Sequence, residues 1–436
     1  MLGGLDANFR LGRYRTMQTI RNYFIDNLDR DNRIFLFLFS FFPGVLASVT
    51  SFMLAIAFVG AVLFLYLGFF PWMLRSDQKA ALFAISAYPA AMILSVLTNY
   101  HPGDDLFWIV RVLPFLAGWC VLARMRTSPD GTLLPCLILG AGVGMIATLA
   151  ICIVQFFFFI DRTVGGAGNA AVLGLFTVLF SSIALMNIHS TEKIERWIAG
   201  IGFVSGVIAL LLSETRSAWL VLPVNIIIVA VYLQKNKRIN YKKLVLPVLA
   251  GILVASVAFY PKVNSRIQAL NYDLQSLEQN SQGLTSLNIR LFIWKGAMAA
   301  IAERPVLGYG PQDRMEAVGR HLPAGIASQI SVTHVHNAFL NAAVDAGLVG
   351  VVALILALSA PVLAAFKKEP GPARDASMTI ALLLVASYFV TGMLGIMFGQ
   401  DATDAVYILT FLAICHPTGS SLLSPVINHH SSDRSA

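Results

Sequence analysis

The sequence predicts an all-α integral membrane protein that crosses the bilayer about twelve times. Of its 436 residues, 57% are hydrophobic and only 12% are charged, and the mean hydropathy is +0.72. A soluble globular domain carries roughly 25% charged residues, so most of this surface is expected to face lipid. The apolar segments are continuous rather than alternating, which favours helices over a β-barrel.

The apolar segments define the predicted spans. A helix needs about 20 mostly apolar residues to cross the hydrocarbon core. The first and last segments are short, whereas residues 132–160 are long enough to tilt in the bilayer. The predicted spans cover residues 34–49, 52–73, 80–97, 107–123, 132–160, 169–188, 197–213, 217–233, 244–260, 338–366, 376–397 and 405–415.

The charge of the connecting loops alternates, which predicts their orientation. One set of loops is rich in lysine and arginine, whereas the intervening short loops hold only Arg162 and Arg216 as basic residues. Basic loops stay in the cytoplasm, so both termini are expected there. The net charge of +8 is therefore interpreted as a topology signal, and no nucleic-acid partner is expected.

One connection on the outer side is much longer than the others. It contains an amphipathic stretch from Asn288 to Arg304, which predicts one or two helices on the membrane surface or over the bundle. Loops of this length are usually functional. The predicted parts are a cytoplasmic segment 1–33, spans one to nine in 34–260, the outer loop 261–337, spans ten to twelve in 338–415, and a cytoplasmic tail 416–436.

Four arginine residues are predicted at the outer face, where basic residues are disfavoured. A charge at membrane depth costs at least a few kcal/mol, so it usually pairs or serves a function. Arginine can bind phosphate oxygens in pairs, so the set Arg111, Arg162, Arg216 and Arg290 favours an anion-binding site. Each could instead neutralise an acid: Arg162 with Asp161, Arg216 with Glu214, and Arg111 with Asp104 or Asp105.

A His-Val-His-Asn sequence ends the large loop, where the chain re-enters the membrane. His336 is a candidate general base, because histidine exchanges protons near neutral pH, and His334 is the weaker candidate. The two histidines could instead be metal ligands, but no nearby Cys, Asp or Glu set completes a site, so no metal or cofactor is expected. Just inside the tenth span, Asp345 is expected to pair with a buried polar group.

The last outer loop holds two further acidic candidates. Asp401 or Asp404 could orient the histidine, pair with an arginine, or simply be solvated. Several catalytic motifs are absent from the sequence, namely the P-loop, the dinucleotide fingerprint, HExxH and GxSxG. A reaction on the outer face must therefore use a donor that is already activated. A transporter or flippase for an anionic lipid is the alternative from another class, although the internal repeats of many transporters are not evident.

Five short motifs, in this order, resemble those of bacterial O-antigen ligases. They are Arg162 to Asn169, Glu214 to Ser217 before Pro223, Thr285 to Arg290 with Trp294, Pro305 to Gly310, and His334 to Asn337 with Gly347. The resemblance covers residues 160–410, together with the twelve-span layout and its one late loop. The order and placement of these motifs are fairly specific for the O-antigen ligase/polymerase superfamily.

The resemblance implies a GT-C-like membrane fold in the bacterial inner membrane, with the large helical loop between spans nine and ten in the periplasm. Such ligases act in lipopolysaccharide biosynthesis. They transfer O-antigen polysaccharide from undecaprenyl diphosphate to the lipid A core oligosaccharide, by an inverting and metal-independent reaction. The expected partners are thus the undecaprenyl-diphosphate-linked O-antigen, the lipid A core and the surrounding inner-membrane lipids. O-antigen polymerases and protein O-oligosaccharyltransferases are close alternatives, and the H-x-H-N pair favours a ligase.

The resemblance also implies roles for particular residues. The catalytic residues would be Arg216, Arg290 and His336. An aspartate in the last periplasmic loop is matched most closely by Asp401, with Asp404 as the alternative. Further candidates for binding the diphosphate or the glycan are Arg111, Arg162, Trp294, His334 and Asn337.

Overall fold

A computed structural model describes most of the chain. The described residues are 22–23, 25–101, 105–158, 162–236, 286–323, 332–395 and 397–417, with isolated positions between 260 and 275. The predicted ninth span up to residue 259 lies outside the described residues. So do residues 1–21 of the predicted N-terminal segment and residues 418–436 of the predicted tail.

The described residues form helices and no β-strand, which confirms the predicted all-α class. A 3₁₀ turn over Leu113–Ala117 joins α4 to α5. The helices are α1 (25–41), α2 (Ala47–Tyr66), α3 (Ser76–Thr98), α4 (Asp105–Val112), α5 (Gly118–Met125), α6 (Leu133–Phe157), α7 (Ala170–Leu185), α8 (Lys193–Ser213), α9 (Arg216–Lys235), α10 (Ser286–Glu303), α11 (Arg314–Gly319), α12 (Ala338–Phe366), α13 (Pro372–Gly392) and α14 (Asp401–Cys415).

Eight of the described helical segments are long and apolar enough to cross a membrane. They are α2, α3, the combined α4–α5 segment, α6, α8, α9, α12 and α13, and the 16-residue α7 is a shorter apolar helix. The chain is therefore a multi-pass membrane protein. Eleven of the twelve predicted spans overlap a described helix, and the remaining one is the span at 244–260.

The first helix begins earlier than predicted. α1 extends back to residue 25, whereas the first span was expected to begin at residue 34. Asn32 explains the difference, because its buried amide donates to the hydroxyls of Thr127 and Ser128 and to the carbonyl of Arg124. This polar end of the helix is stabilised by the loop after α5, and a hydropathy window does not detect such partners.

The bundle has an enclosed centre and a lipid-facing exterior. In α7, fifteen of the sixteen residues are buried, whereas α2 leaves Phe52 and Val59 exposed. Small residues allow the closest helix contacts, as between α6 and α8, where a Cβ on Gly202 would lie 2.7 Å from the carbonyl oxygen of Gly142. Close backbone approach at small residues is typical of helix packing in membranes.

α12 is broken near its start, at Gly347, whose φ of 60° lies in the left-handed region. The N–H groups of residues 348 and 349 donate to residues 305 and 306 instead of closing helical bonds. The carbonyls of Val344 and Asp345 accept from the N–H groups of Tyr309 and Gly310, at 2.9 and 2.8 Å. The Pro305–Gly310 motif therefore fills the break and joins the loop to the bundle.

Gly347→Ala is expected to destabilise the protein by more than about 1 kcal/mol, because alanine does not tolerate positive φ. The added Cβ would also lie 2.2 Å from the carbonyl carbon of Val306. Thermal unfolding in detergent micelles measures the effect. Gly319→Ala at the end of α11 is the matched control, since no atom lies within 4 Å of its added Cβ. Equal unfolding midpoints for the two variants would contradict the described break.

Candidate functional site

One end of the bundle, here called the site end, gathers most of the candidate residues. It is the end at which α8 and α13 finish and α9, α12 and α14 begin. Helices α9 and α13 are antiparallel, because Asn225 donates to Ser387 at 3.1 Å and Lys235 pairs with Asp375. The Lys235–Asp375 pair lies towards the other end of the bundle, so the start of α9 and the end of α13 lie together at the site end. Asn337, at the start of α12, donates to the carbonyl of Met393 just beyond α13.

The histidine-containing turn before α12 has a strained backbone. His336 has a φ of 58°, in the left-handed region that side chains other than glycine seldom adopt. Such strain persists only where the surroundings fix it, and it is concentrated at functional sites. The ring centroids of His334 and His336 are 4.2 Å apart, so the two imidazoles pack against each other.

Arg290 lies close enough to this histidine pair to act on it electrostatically. Burial lowers the pKa of His336, and the charge of Arg290 lowers it further. Burial also lowers the pKa of His334 to about 4, with His336, Arg314 and Arg290 acting in the same direction. Both imidazoles are therefore neutral at pH 7, which is the state in which a ring nitrogen can accept a proton.

The position of Arg290 follows from the packing of α10. Ile293 and Ala297 are fully buried, and they pack with Val335 in one hydrophobic cluster. Trp294 donates from Nε1 to the carbonyl of Val335 at 3.0 Å. Residues three and four positions apart share a helix face, so Arg290 lies on the face that contacts the histidine turn. The helix predicted for this stretch is confirmed as α10.

A buried ion pair between Arg314 and Asp345 contacts the histidine turn through the carbonyl of Thr333. Arg314 and Asp345 are 7% and 2% exposed, and the two hydrogen bonds between them are 2.5 Å long. The expected pairing of Asp345 with a buried polar group is confirmed. Sequence reasoning missed Arg314, although an acid inside an apolar span is itself a signal that a buried partner exists.

Trp108 connects Arg111 to this ion pair. Its ring lies 5.5 Å from the guanidinium carbon of Arg111 and 5.7 Å from that of Arg314. The buried Nε of Arg111 has no hydrogen-bond partner among the described residues. Asp104 and the side chain of Asp105, the acids considered as partners of Arg111, lie outside the described residues.

The two aspartates of the last loop have different environments. Asp404 is 2% exposed, and its carboxylate accepts from the N–H of Gly399 at 3.0 and 3.1 Å. Arg111 lies within electrostatic range of it. Asp401 is exposed at the first position of α14. Asp401 is the closer match by sequence. The geometry instead favours Asp404 as the aspartate that lies near Arg111.

Arg162 and Arg216 lie at the site end, on the neighbouring segment formed by α7, α8 and α9. Arg162 donates from its guanidinium to the carbonyl of Ser213 at 3.3 Å, which joins the loop before α7 to the end of α8. Arg216 is the first residue of α9 and is half-buried. It lies nine residues before Asn225 in the same helix, and is therefore about 14 Å nearer to the site end than Asn225 is.

Two of the binding candidates form structural bonds at the histidine turn. The side chain of Asn337 accepts from the N–H groups of Phe339 and Leu340, and so caps α12. The indole N–H of Trp294 is used in its bond to Val335. Among the described residues, no group of three or more His, Cys, Asp and Glu side chains is arranged to hold a metal ion.

Arg290→Gln is expected to raise the pKa of His336, because removing a nearby positive charge makes protonation less costly. Arg290→Lys retains the charge and should leave the pKa low. Diethyl pyrocarbonate modifies neutral imidazole, so the pH dependence of His336 modification, followed by peptide mass spectrometry, measures the shift. An unchanged midpoint in Arg290→Gln would show that the arginine does not act on this histidine.

Comparison with known proteins identifies similar sequences. The family described as O-Antigen ligase matches residues 201–355, a range that contains Arg216, Arg290 and His336. An O-antigen ligase of Escherichia coli is 25% identical over 216 residues, covering 48% of this chain and 51% of the relative. An uncharacterised protein of Haemophilus influenzae is 32% identical over 171 residues, covering 37% of this chain and 42% of the relative. The matches thus span about half the length of these relatives.

Proposed function

We propose that this protein, a member of the O-antigen ligase superfamily, transfers O-antigen polysaccharide from undecaprenyl diphosphate to the lipid A core oligosaccharide. The observation that carries the proposal is the neutral histidine pair beside Arg290, at one end of a multi-pass helical bundle. Similarity to an O-antigen ligase supports the class of reaction. The loop charges favour the periplasmic face of the inner membrane as its location.

Arginine residues would stabilise the leaving group. When the bond between the anomeric carbon and the donor oxygen breaks, its electron pair remains on undecaprenyl diphosphate as negative charge. Preorganised cationic donors aimed at developing charge lower the barrier without a metal ion. Arg290 and Arg216 are assigned this role. Arg111 and Arg162 extend the positive surface at the same end of the bundle.

His336 would activate the acceptor. Its neutral imidazole accepts the proton of the attacking hydroxyl while the new bond to the anomeric carbon forms. The hydroxyl attacks from the side opposite the departing diphosphate, so the configuration at that carbon is inverted. His334 packs against the ring of His336, and burial together with the charge of Arg290 keeps His336 neutral.

The two lipid-linked substrates would enter from the bilayer and meet head to head at the site end. α10 packs over the start of α12 through a buried cluster that includes Ile293 and Val344. This covering layer would hold both head groups near the histidine, and positioning of this kind converts an encounter into an oriented reaction. Asp404 would keep the last loop and Arg111 in place.

A reconstituted assay with two acceptors tests the proposal. Vesicles containing the purified protein receive undecaprenyl-diphosphate-linked glycan, lipid A core oligosaccharide and a second lipid-linked glycan, with a chelator present. We expect glycan on the lipid A core, detected as a shift in gel mobility. Growth of the lipid-linked glycan alone would identify a polymerase. Movement of the donor across the bilayer without transfer would contradict the enzyme assignment and favour a lipid transporter.

A further inference from the structure

We propose that Asn341, acting with the Arg314–Asp345 ion pair, is a positioning residue that holds the histidine turn in place for proton transfer. The part of this inference that concerns turnover rests on the proposed function. The part that concerns the geometry of the turn can be tested on the protein without substrates.

The first observation is a row of polar side chains on α12. Asn337, Asn341 and Asp345 are spaced by four residues, so they lie one above another on one face of the helix. The amide of Asn341 donates to Asp345 at 3.2 Å, and its Oδ1 accepts from the N–H of Val335 at 3.3 Å. Asn341 therefore joins the buried carboxylate to the backbone between the two histidines.

The second observation concerns the other side of His334. Arg314 forms the ion pair with Asp345 and also donates from Nη1 to the carbonyl of Thr333 at 3.1 Å. The same ion pair thus fixes the peptide before His334 directly and the peptide after it through Asn341. These bonds restrict the backbone on both sides of the histidine that packs against His336.

The third observation is that the ion pair is itself attached to the bundle. The carbonyl of Asp345 accepts from the hydroxyl of Ser95 on α3 at 2.5 Å and from the N–H of Gly310. Burying two charges is unfavourable unless their hydrogen bonds are satisfied, and a pair of apolar residues in the same place would often give the protein equal stability. The backbone of Asp345 is thus fixed to α3 and to the Pro305–Gly310 motif, so the turn that bonds to the ion pair is fixed to the bundle.

Asn341 is the residue that separates positioning from folding. It is uncharged and half-buried, so replacing it leaves the ion pair intact. Asn341→Leu removes the hydrogen bonds of the side chain to Asp345 and to the N–H of Val335. Asn341→Gln keeps the amide donor and acceptor on a side chain that is one methylene longer. Asn225→Leu is the matched control, because Asn225 is also an asparagine in a span that bonds to another helix, through Ser387.

The experiment combines turnover with chemical modification. In the transfer assay, we expect Asn341→Leu to lower kcat by about 10- to 100-fold, since a misplacement of about 1 Å can cost 100-fold. KM for the acceptor should change little, and Asn341→Gln should recover part of the rate. Without substrates, diethyl pyrocarbonate should modify His336 faster in Asn341→Leu than in the wild type. Asn225→Leu should lower the unfolding midpoint without changing either readout.

The outcomes distinguish this inference from the proposed function. If the wild type transfers no glycan, the proposed function fails, and the modification rates of His336 still decide whether Asn341 positions the turn. Wild-type modification and wild-type kcat in Asn341→Leu would overturn the inference. So would a fall in kcat that matches only the loss of folded protein, with no change in modification.

Discussion

His336→Ala is expected to reduce the rate of glycan transfer by about 10²- to 10⁴-fold, the usual contribution of a general base. The imidazole lies in a strained turn next to Arg290, and its burial keeps it neutral and ready to accept a proton. Alanine removes the proton acceptor but leaves the arginines, so donor binding should persist. Initial rates of transfer by the purified, reconstituted variant measure the loss.

The matched control for this substitution is His189→Ala. His189 lies between α7 and α8, at the end of the bundle opposite the site end, and its variant should transfer glycan at the wild-type rate. Wild-type transfer by folded His336→Ala protein would remove this histidine from the mechanism. Loss of transfer in both variants would indicate damage to the bundle rather than to the site.

Arg290→Gln is expected to lower kcat by about 10²- to 10³-fold, the cost of removing one donor that stabilises developing negative charge. Arg290→Lys should lower kcat by a smaller factor, because lysine keeps the positive charge but cannot bind two phosphate oxygens in a plane. Release of undecaprenyl diphosphate and appearance of ligated glycan, followed together, give the rate. Unlike His336→Ala, both variants should also bind the diphosphate donor more weakly.

Arg196→Gln provides the control for loss of one positive charge. Arg196 lies near the start of α8, away from the site end, and donates to the carbonyls of Ser190 and Thr191 on the surface. It should leave kcat unchanged. If Arg290→Gln and Arg196→Gln reduced transfer equally, the effect would come from net charge and not from the site.

The helical class and most of the spans could be predicted from the sequence, because long apolar runs have few other structures available in lipid. The break in α12 could not, since residues 338–366 are apolar apart from Asn341, Asp345 and Ser359. That break depends on the Pro305–Gly310 motif, which supplies the replacement hydrogen bonds from a distant part of the chain. Hydropathy carries no information about such a partner.

The candidate site was predictable in part. The motifs identified Arg290 and His336, and the structure places them in electrostatic contact. They did not reveal Arg314, whose sequence neighbours Asp313 and Glu316 resemble an ordinary solvated surface. Its importance comes from tertiary packing against Asp345. The choice between the two loop aspartates likewise depended on burial, which a loose sequence spacing does not fix.

The configuration of the new glycosidic bond tests the central claim most directly. If the acceptor hydroxyl, activated at His336, displaces the diphosphate in a single step, the anomeric configuration of the transferred sugar must invert. Nuclear magnetic resonance of the purified product, compared with the lipid-linked donor, gives both configurations. We expect them to be opposite. The same configuration in donor and product would require two successive displacements, and it would contradict the direct attack proposed for His336.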